Sequence, residues 1–107
     1  MDFTVEEMLQ MQRLLQEKYQ DRWEPISVET GKNKLLWMIS EVGEVIDIIK
    51  KNGAENAAED PELRHWLVEE LSDVMMFLAD FMLCFDITSD ELKEIYVEKH
   101  ERNMNRW

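Results

Sequence analysis

Two short acidic phrases limit what this chain can fold into. Glu41-Val42-Gly43-Glu44 follows the apolar run Leu35-Leu36-Trp37-Met38-Ile39, and Glu70-Leu71-Ser72-Asp73 precedes Val74-Met75-Met76-Phe77-Leu78. On a helix each phrase sets two carboxylates on one face, because positions i and i+3 are neighbours there. Carboxylates among such residues raise the free energy of the fold unless something positive offsets their loss of water. We therefore read the two phrases as the ligands of a divalent-metal site.

The helix signals around them are local and strong. Thr4-Val5-Glu6-Glu7 is a capping box that predicts a first helix from Val5 to about Arg22. Its apolar positions are Val5, Met8, Leu9, Met11, Leu14, Leu15 and Tyr19, and Trp23-Glu24-Pro25 ends it. Ser27 to Gly31 reads as a short loop. A second helix is expected from about Thr30 or Lys32 to Lys51, closed by Asn52-Gly53. Ala54 to Glu59 is a polar, Ala-rich connection with room for one extra turn. Asp60-Pro61-Glu62 starts a third helix that runs to about Phe85, where Asp86-Ile87 breaks it. Thr88-Ser89-Asp90-Glu91 is another capping box, opening a fourth helix from Ser89 to about Arg106.

Three Gly, two Pro and no repeat leave little material for turns or strands. The expectation is one all-α domain over residues 1–107, a four-helix bundle-like protomer with long, antiparallel second and third helices. The third helix is apolar nearly all round, more than a lone bundle of this size buries. A subunit interface would explain that surplus.

Advancing about 100° per residue sorts the second helix into faces. Leu35, Ile39, Val42, Ile46 and Ile49 form the expected core stripe; Leu36, Ser40, Gly43, Asp47, Lys50 and Lys51 form the expected solvated side. Glu41 and Glu44 share a third arc with Trp37 and Ile48. On the third helix Glu70 falls among Leu63, Trp66, Phe77, Phe81 and Cys84, with Asp73 at the edge. One acidic pair is ordinary on a solvated helix. Two pairs on consecutive antiparallel helices, both framed by apolar residues, point to a site. Four converging carboxylates repel one another at neutral pH, and a hard cation with oxygen ligands, Mg2+ or in its place Mn2+, relieves that. A di-iron centre needs Glu-x-x-His on two helices, and only Glu62-Leu63-Arg64-His65 has that form.

The formal charge is −12, from 24 acidic and 12 basic residues. Such a surface repels nucleic-acid backbones, which argues against a polymer partner. A small phosphorylated ligand stays open, because a bound Mg2+ inverts the local sign. On the fourth helix Leu92, Ile95, Tyr96, Lys99, Asn103 and Arg106 share a stripe that turns basic toward its end. Those cations suit phosphate oxygens, and equally they suit a helix C-terminus. The single cysteine, Cys84, lies in the apolar arc and reads as structural; with no disulfide to form, a reducing cytoplasmic home is expected. The N-terminal residues carry no signal-peptide pattern, and the apolar segment Val74 to Phe85, interrupted by Asp80, is too short to span a bilayer.

Glu41-x-x-Glu44 followed by Glu70-x-x-Asp73 resembles the motif of MazG-like nucleotide pyrophosphohydrolases, in the all-α NTP pyrophosphatase superfamily. Val68-Glu69-Glu70-Leu71-Ser72-Asp73-Val74 is similar to that family's second motif, and Lys99 to Trp107 to its basic C-terminal stretch. The resemblance covers roughly Lys32 to Trp107. It implies Mg2+-dependent hydrolysis of a nucleoside triphosphate between the α and β phosphates, giving the monophosphate and pyrophosphate, in nucleotide-pool house-cleaning or control. It implies Glu41, Glu44, Glu70 and Asp73 as metal ligands, with Glu41 or Glu44 also handling the attacking water. It implies Lys99 and Asn103, with Arg106, as phosphate contacts, and a homodimer or homotetramer with clefts built from two subunits. Trp37 and Trp66, each one turn before a ligand, are candidates to stack on a base, although core packing is the more frequent use of such tryptophans. Asn33, Lys34, Gln12 and Trp23 are further candidates. No position singles out a base, so dUTP, dCTP, dATP or a modified nucleotide stays open. The competing reading is a non-catalytic helical dimerisation or regulatory module that keeps the fold and the metal site.

Overall fold

The computed structural model describes residues 2–107, and it is helical from the first capping box to the last turn. Helix α1 spans Val5–Lys18, a single 3-10 turn spans Val28–Thr30, α2 spans Gly31–Asn52, α3 spans Ala54–Glu59, α4 spans Pro61–Cys84 and α5 spans Ser89–Met104. Five α-helices therefore stand where four were expected. The polar connection after Gly53 has enough helix propensity to close its own short α3, held by Ala57, which is buried against its neighbours.

The caps explain where each helix begins. Thr4 Oγ1 accepts from the Glu7 N–H at 3.1 Å, Asp60 Oδ2 from the Leu63 N–H at 3.0 Å, and Thr88 Oγ1 from the Glu91 N–H at 3.1 Å. Pro61 opens α4 at a position whose N–H would have no partner. Helix α1 stops at Lys18, a turn short of the expected Arg22; the Trp23 N–H instead bonds back to the Tyr19 carbonyl at 2.8 Å, and the two rings stack. Gly53, at φ +86°, turns the chain between α2 and α3. Helix α4 ends with Asp86 at φ +53° and the Ile87 N–H bonded to the Met82 carbonyl, which folds Ile87 back onto the core.

Helices α2 and α4 run antiparallel along most of their lengths. Thr30 meets Cys84 at one end, the Trp37 and Phe77 rings stack at 6.5 Å in the middle, and Glu41 meets Glu70 and Asp73 further along. Helix α1 lies across α4 and completes a small core of Met8, Leu9, Ala79, Met82 and Leu83. Helix α5 packs only against α1, tied by Ser89 Oγ donating to Glu6 at 2.9 Å and by Leu92 on the core. It does not join α2 and α4 in a closed bundle.

The expected faces need correction. On α2 the packed side carries Lys34 and Ile48, with Ile48 only 2 % exposed. The apolar stripe expected in the core is open: Ile39 is 63 % exposed, and Val42, Ile46 and Ile49 are exposed as well. On α1 the buried positions are Met8, Leu9, Gln12 and Gln16, while Met11 and Leu14 face out. The chain exposes 8394 Å2, against about 6,300 Å2 for a closed monomer of this mass. Its radius of gyration is 16.2 Å, where about 13 Å is usual. No helix among the described residues is long and apolar enough to cross a membrane.

Two glycine substitutions separate local conformation from packing. Gly53→Ala forces a side chain into a positive-φ position and is expected to destabilise by about 1 kcal/mol. Gly43→Ala fills open space in mid-helix and is expected to stabilise by about 0.5–1 kcal/mol. Equilibrium denaturant unfolding of both variants beside the parent chain measures the difference.

Candidate functional site

The antiparallel pairing of α2 with α4 brings Glu41, Glu70 and Asp73 together. Each offers a carboxylate oxygen, and the three oxygens lie within 4.8 Å of one another. All three side chains are half-buried. Glu44, one turn along from Glu41, is exposed and stands outside this convergent set, though near enough for its charge to act on Glu41. Among the described residues no Lys or Arg pairs with any of the four; nearby, His65 Nε2 stands 3.3 Å from Glu69.

Crowding without a cation shows in the acid strengths. Burial raises the Glu41 carboxyl above its ordinary value, and a hydrogen bond with Glu70 together with the charges of Asp73, Glu70 and Glu44 raise it further. Burial likewise raises Asp73, with the charges of Glu70 and Glu69 adding to it. An all-oxygen donor set of this kind suits a hard divalent cation that keeps some of its waters.

Glu41 and Asp73 also line one wall of a cleft of about 770 Å3 between α1, α2 and α4. Trp23 and Trp37 supply aromatic surface to it, and Gln12, Gln16, Lys34 and Asp80 line it too. Lys34, Gln12 and Trp23, secondary candidates from the sequence, thus gather on this cleft with Trp37. Asn33 stands at its border, its amide donating to both Glu24 oxygens at 3.2 Å. Trp66 is half exposed and does not line the cleft.

Lys99 and Asn103 lie together on α5, beside a separate hollow of about 390 Å3 with Ile95 and Tyr96. Arg106 follows the helix and stacks its guanidinium over the Trp107 ring at 5.1 Å. Because α5 contacts neither α2 nor α4, a single chain does not bring these three side chains to the carboxylates. Cys84 is buried, 3.6 Å from Thr30 Oγ1, as a structural residue would be.

Asp80 and Gln16 escaped the sequence reading. Asp80 is 3 % exposed, and its Oδ1 accepts from Gln12 Nε2 at 2.8 Å and Gln16 Nε2 at 3.0 Å. The signals were there: an acid interrupting the most apolar segment, and two glutamines four residues apart on the inner side of α1. No protein-family model, curated protein or solved structure matches the chain.

The raised acids set the pH dependence of the metal-free protein. Glu41, Asp73 and Asp80 hold protons more tightly in the fold than in the unfolded chain. As pH rises from about 4 through their raised values, the folded state is therefore the one that binds more protons, and stability falls. Thermal unfolding in EDTA across this range is expected to show a declining midpoint, with a shallower decline in Glu41→Gln. An equally steep decline in that variant would contradict the crowding.

Proposed function

We propose that this chain is a Mg2+-dependent nucleotide pyrophosphohydrolase, splitting a (d)NTP with water into the (d)NMP and pyrophosphate. The observation that carries the reading is the convergence of Glu41, Glu70 and Asp73, without a protein cation, at the wall of a cleft large enough for a nucleoside. The two-phrase motif adds support through its resemblance to the MazG-like enzymes. Glu41, Glu70 and Asp73 hold the ion, with Glu44 joining them from the next turn. A Mg2+ held there supplies charge neutralisation for the triphosphate and acidifies water.

The chain's own residues then handle the proton and the orientation. Glu41, which lines the cleft where Glu44 does not, is the better placed proton acceptor of the two α2 glutamates. Water attacks the α phosphorus, its proton passes to Glu41, the bond to the bridging oxygen breaks, and pyrophosphate leaves. Lys99 and Asn103, with Arg106, hold phosphate oxygens in this reading, and they do so from a second copy of the chain, since α5 stands away from the carboxylates of its own. The excess exposed surface, roughly 2,100 Å2 per chain, is of the size an obligate dimer or tetramer interface covers. Ile39, Val42 and Ile46 are the side chains such an interface would take up. A nucleotide-pool role in the cytoplasm fits this chemistry.

Pyrophosphate release across a panel of NTPs and dNTPs tests the proposal. Release is expected with Mg2+ and none with EDTA. Glu70→Gln is expected to lower kcat/KM at least about 100-fold, with unchanged helical circular dichroism. No release from any nucleotide, with Mg2+ still raising the unfolding midpoint, would instead favour the non-catalytic module. Sedimentation is expected to give a dimer or tetramer; a stable monomer would remove the second-copy role of Lys99.

A further inference from the structure

A second group of polar side chains lines the same cleft, and the proposed hydrolysis leaves it without a task. It comprises Gln12 and Gln16 from α1, Lys34 from α2 and Asp80 from α4. Each is more than nine-tenths buried, Lys34 being 6 % exposed. Lys34 makes no salt bridge or hydrogen bond among the described residues, although its positive charge is felt at Asp80. A lysine whose side chain is buried this far, and whose ammonium meets no protein acceptor but opens on a cleft, is placed to meet a ligand there.

The hydrogen bonds fix which atoms remain on offer. A carboxylate only accepts, so both glutamines must turn their nitrogens toward Asp80 Oδ1. That leaves Gln12 Oε1, Gln16 Oε1 and Asp80 Oδ2 without donors. No buried polar side-chain atom lacks a partner among the described residues, so these three oxygens and Lys34 Nζ are open to the cleft rather than sealed. The cleft thus presents three acceptors and one cationic donor.

We propose that this end of the cleft reads the base of the nucleotide and selects guanine. The proposal rests on the nucleotide-hydrolysing reading of the carboxylates. Guanine's pairing edge carries one carbonyl oxygen followed by two adjacent N–H donors, which matches a lysine beside two amide oxygens. Lys34 donates to the carbonyl; Gln12 and Gln16 accept from the ring and amino N–H groups. Adenine, cytosine and uracil each bring one donor position with acceptors beside it, and leave an amide oxygen facing a lone pair or nothing. The rings of Trp23 and Trp37 offer the face on which the base lies. Asp80 is a positioning residue: it need not touch the base, but it fixes both amides with oxygen outward.

Two measurements test this. In wild type, kcat/KM for dGTP is expected to exceed that for dATP, dCTP and dUTP at least about tenfold, with dITP, which lacks the amino group, in between. Asp80→Asn removes the anion that orients the amides, and the dGTP to dATP ratio is expected to fall toward one. A lesion of folding alone would lower both substrates together. Gln12→Leu gives the same readout should Asp80→Asn not fold. Calorimetric binding of dGMP and dAMP in EDTA probes the pocket without chemistry, and dGMP is expected to bind tighter. Hydrolysis with no base preference, or with adenine or a pyrimidine preferred, overturns the guanine assignment and leaves the hydrolase standing. Selective dGMP binding with no hydrolysis of any triphosphate supports the pocket and overturns the hydrolase.

Discussion

The antiparallel contact between α2 and α4 is the interaction on which the rest of the molecule depends. It is laddered by unlike rungs: Thr30 with Cys84, Trp37 with Phe77, Glu41 with Glu70 and Asp73. Each helix advances about 1.5 Å and turns about 100° per residue. Sliding one helix by a single residue would therefore rotate the carboxylates off their shared face as well as displace them. The stacked Trp37 and Phe77 rings, one turn from the acids on each helix, hold that register. The acidic cluster is thus a product of aromatic and aliphatic packing, and its own repulsion opposes the contact that forms it. Burial raises the Glu41 and Asp73 carboxyls, and that opposition raises them further.

What could be read from the sequence was mostly what is decided within one turn of helix. Thr4, Asp60 and Thr88 cap helices because their own side-chain oxygens reach an N–H three residues on. Three of the four acids could be grouped because i, i+3 spacing and a short connection suffice to bring them together. Three things were not legible. The packed face of α2 could not be told from its apolar stripe, because Ile39 and Ile46 satisfy helical periodicity as well as Ile48 does, and periodicity does not say which partner covers a stripe. The bonds of Asp80 to Gln12 and Gln16 join residues far apart in the chain, and only the crossing of α1 over α4 decides that those polar groups meet. Helix α5 belongs with these: its capping box fixed where it starts, while nothing local fixed what it touches.

The exposed Ile39, Val42 and Ile46 adjoin the acidic phrase on α2, so a cover for that stripe would also shield one flank of the cluster from water. This couples assembly to the electrostatics of the proposed site. Screening by water weakens the mutual repulsion of the carboxylates, and its removal strengthens both that repulsion and the attraction for a cation. A second copy packed on the stripe would then favour the ion-bound state over the ion-free one. In the proposed enzyme a shared interface and a metal requirement would be two consequences of one apolar surface.

The two ends of the cleft differ in the kind of partner each lacks. At one end, Glu41 and Asp73 line the wall, with Glu70 close to both, and no protein cation pairs with any of them. Toward the other, Asp80 is answered by two amides and by the charge of Lys34, so the deficit there is of hydrogen-bond partners rather than of charge. A ligand that completes both must be polar and near neutral at one end and able to bring cations at the other. An uncharged base joined to a metal-bound polyphosphate has that polarity along its length. A simple dianion would satisfy neither end, since it meets bare carboxylates at one and a nearly neutralised pair at the other. In the proposed reading, that asymmetry is the reason the ligand is a nucleotide rather than inorganic phosphate.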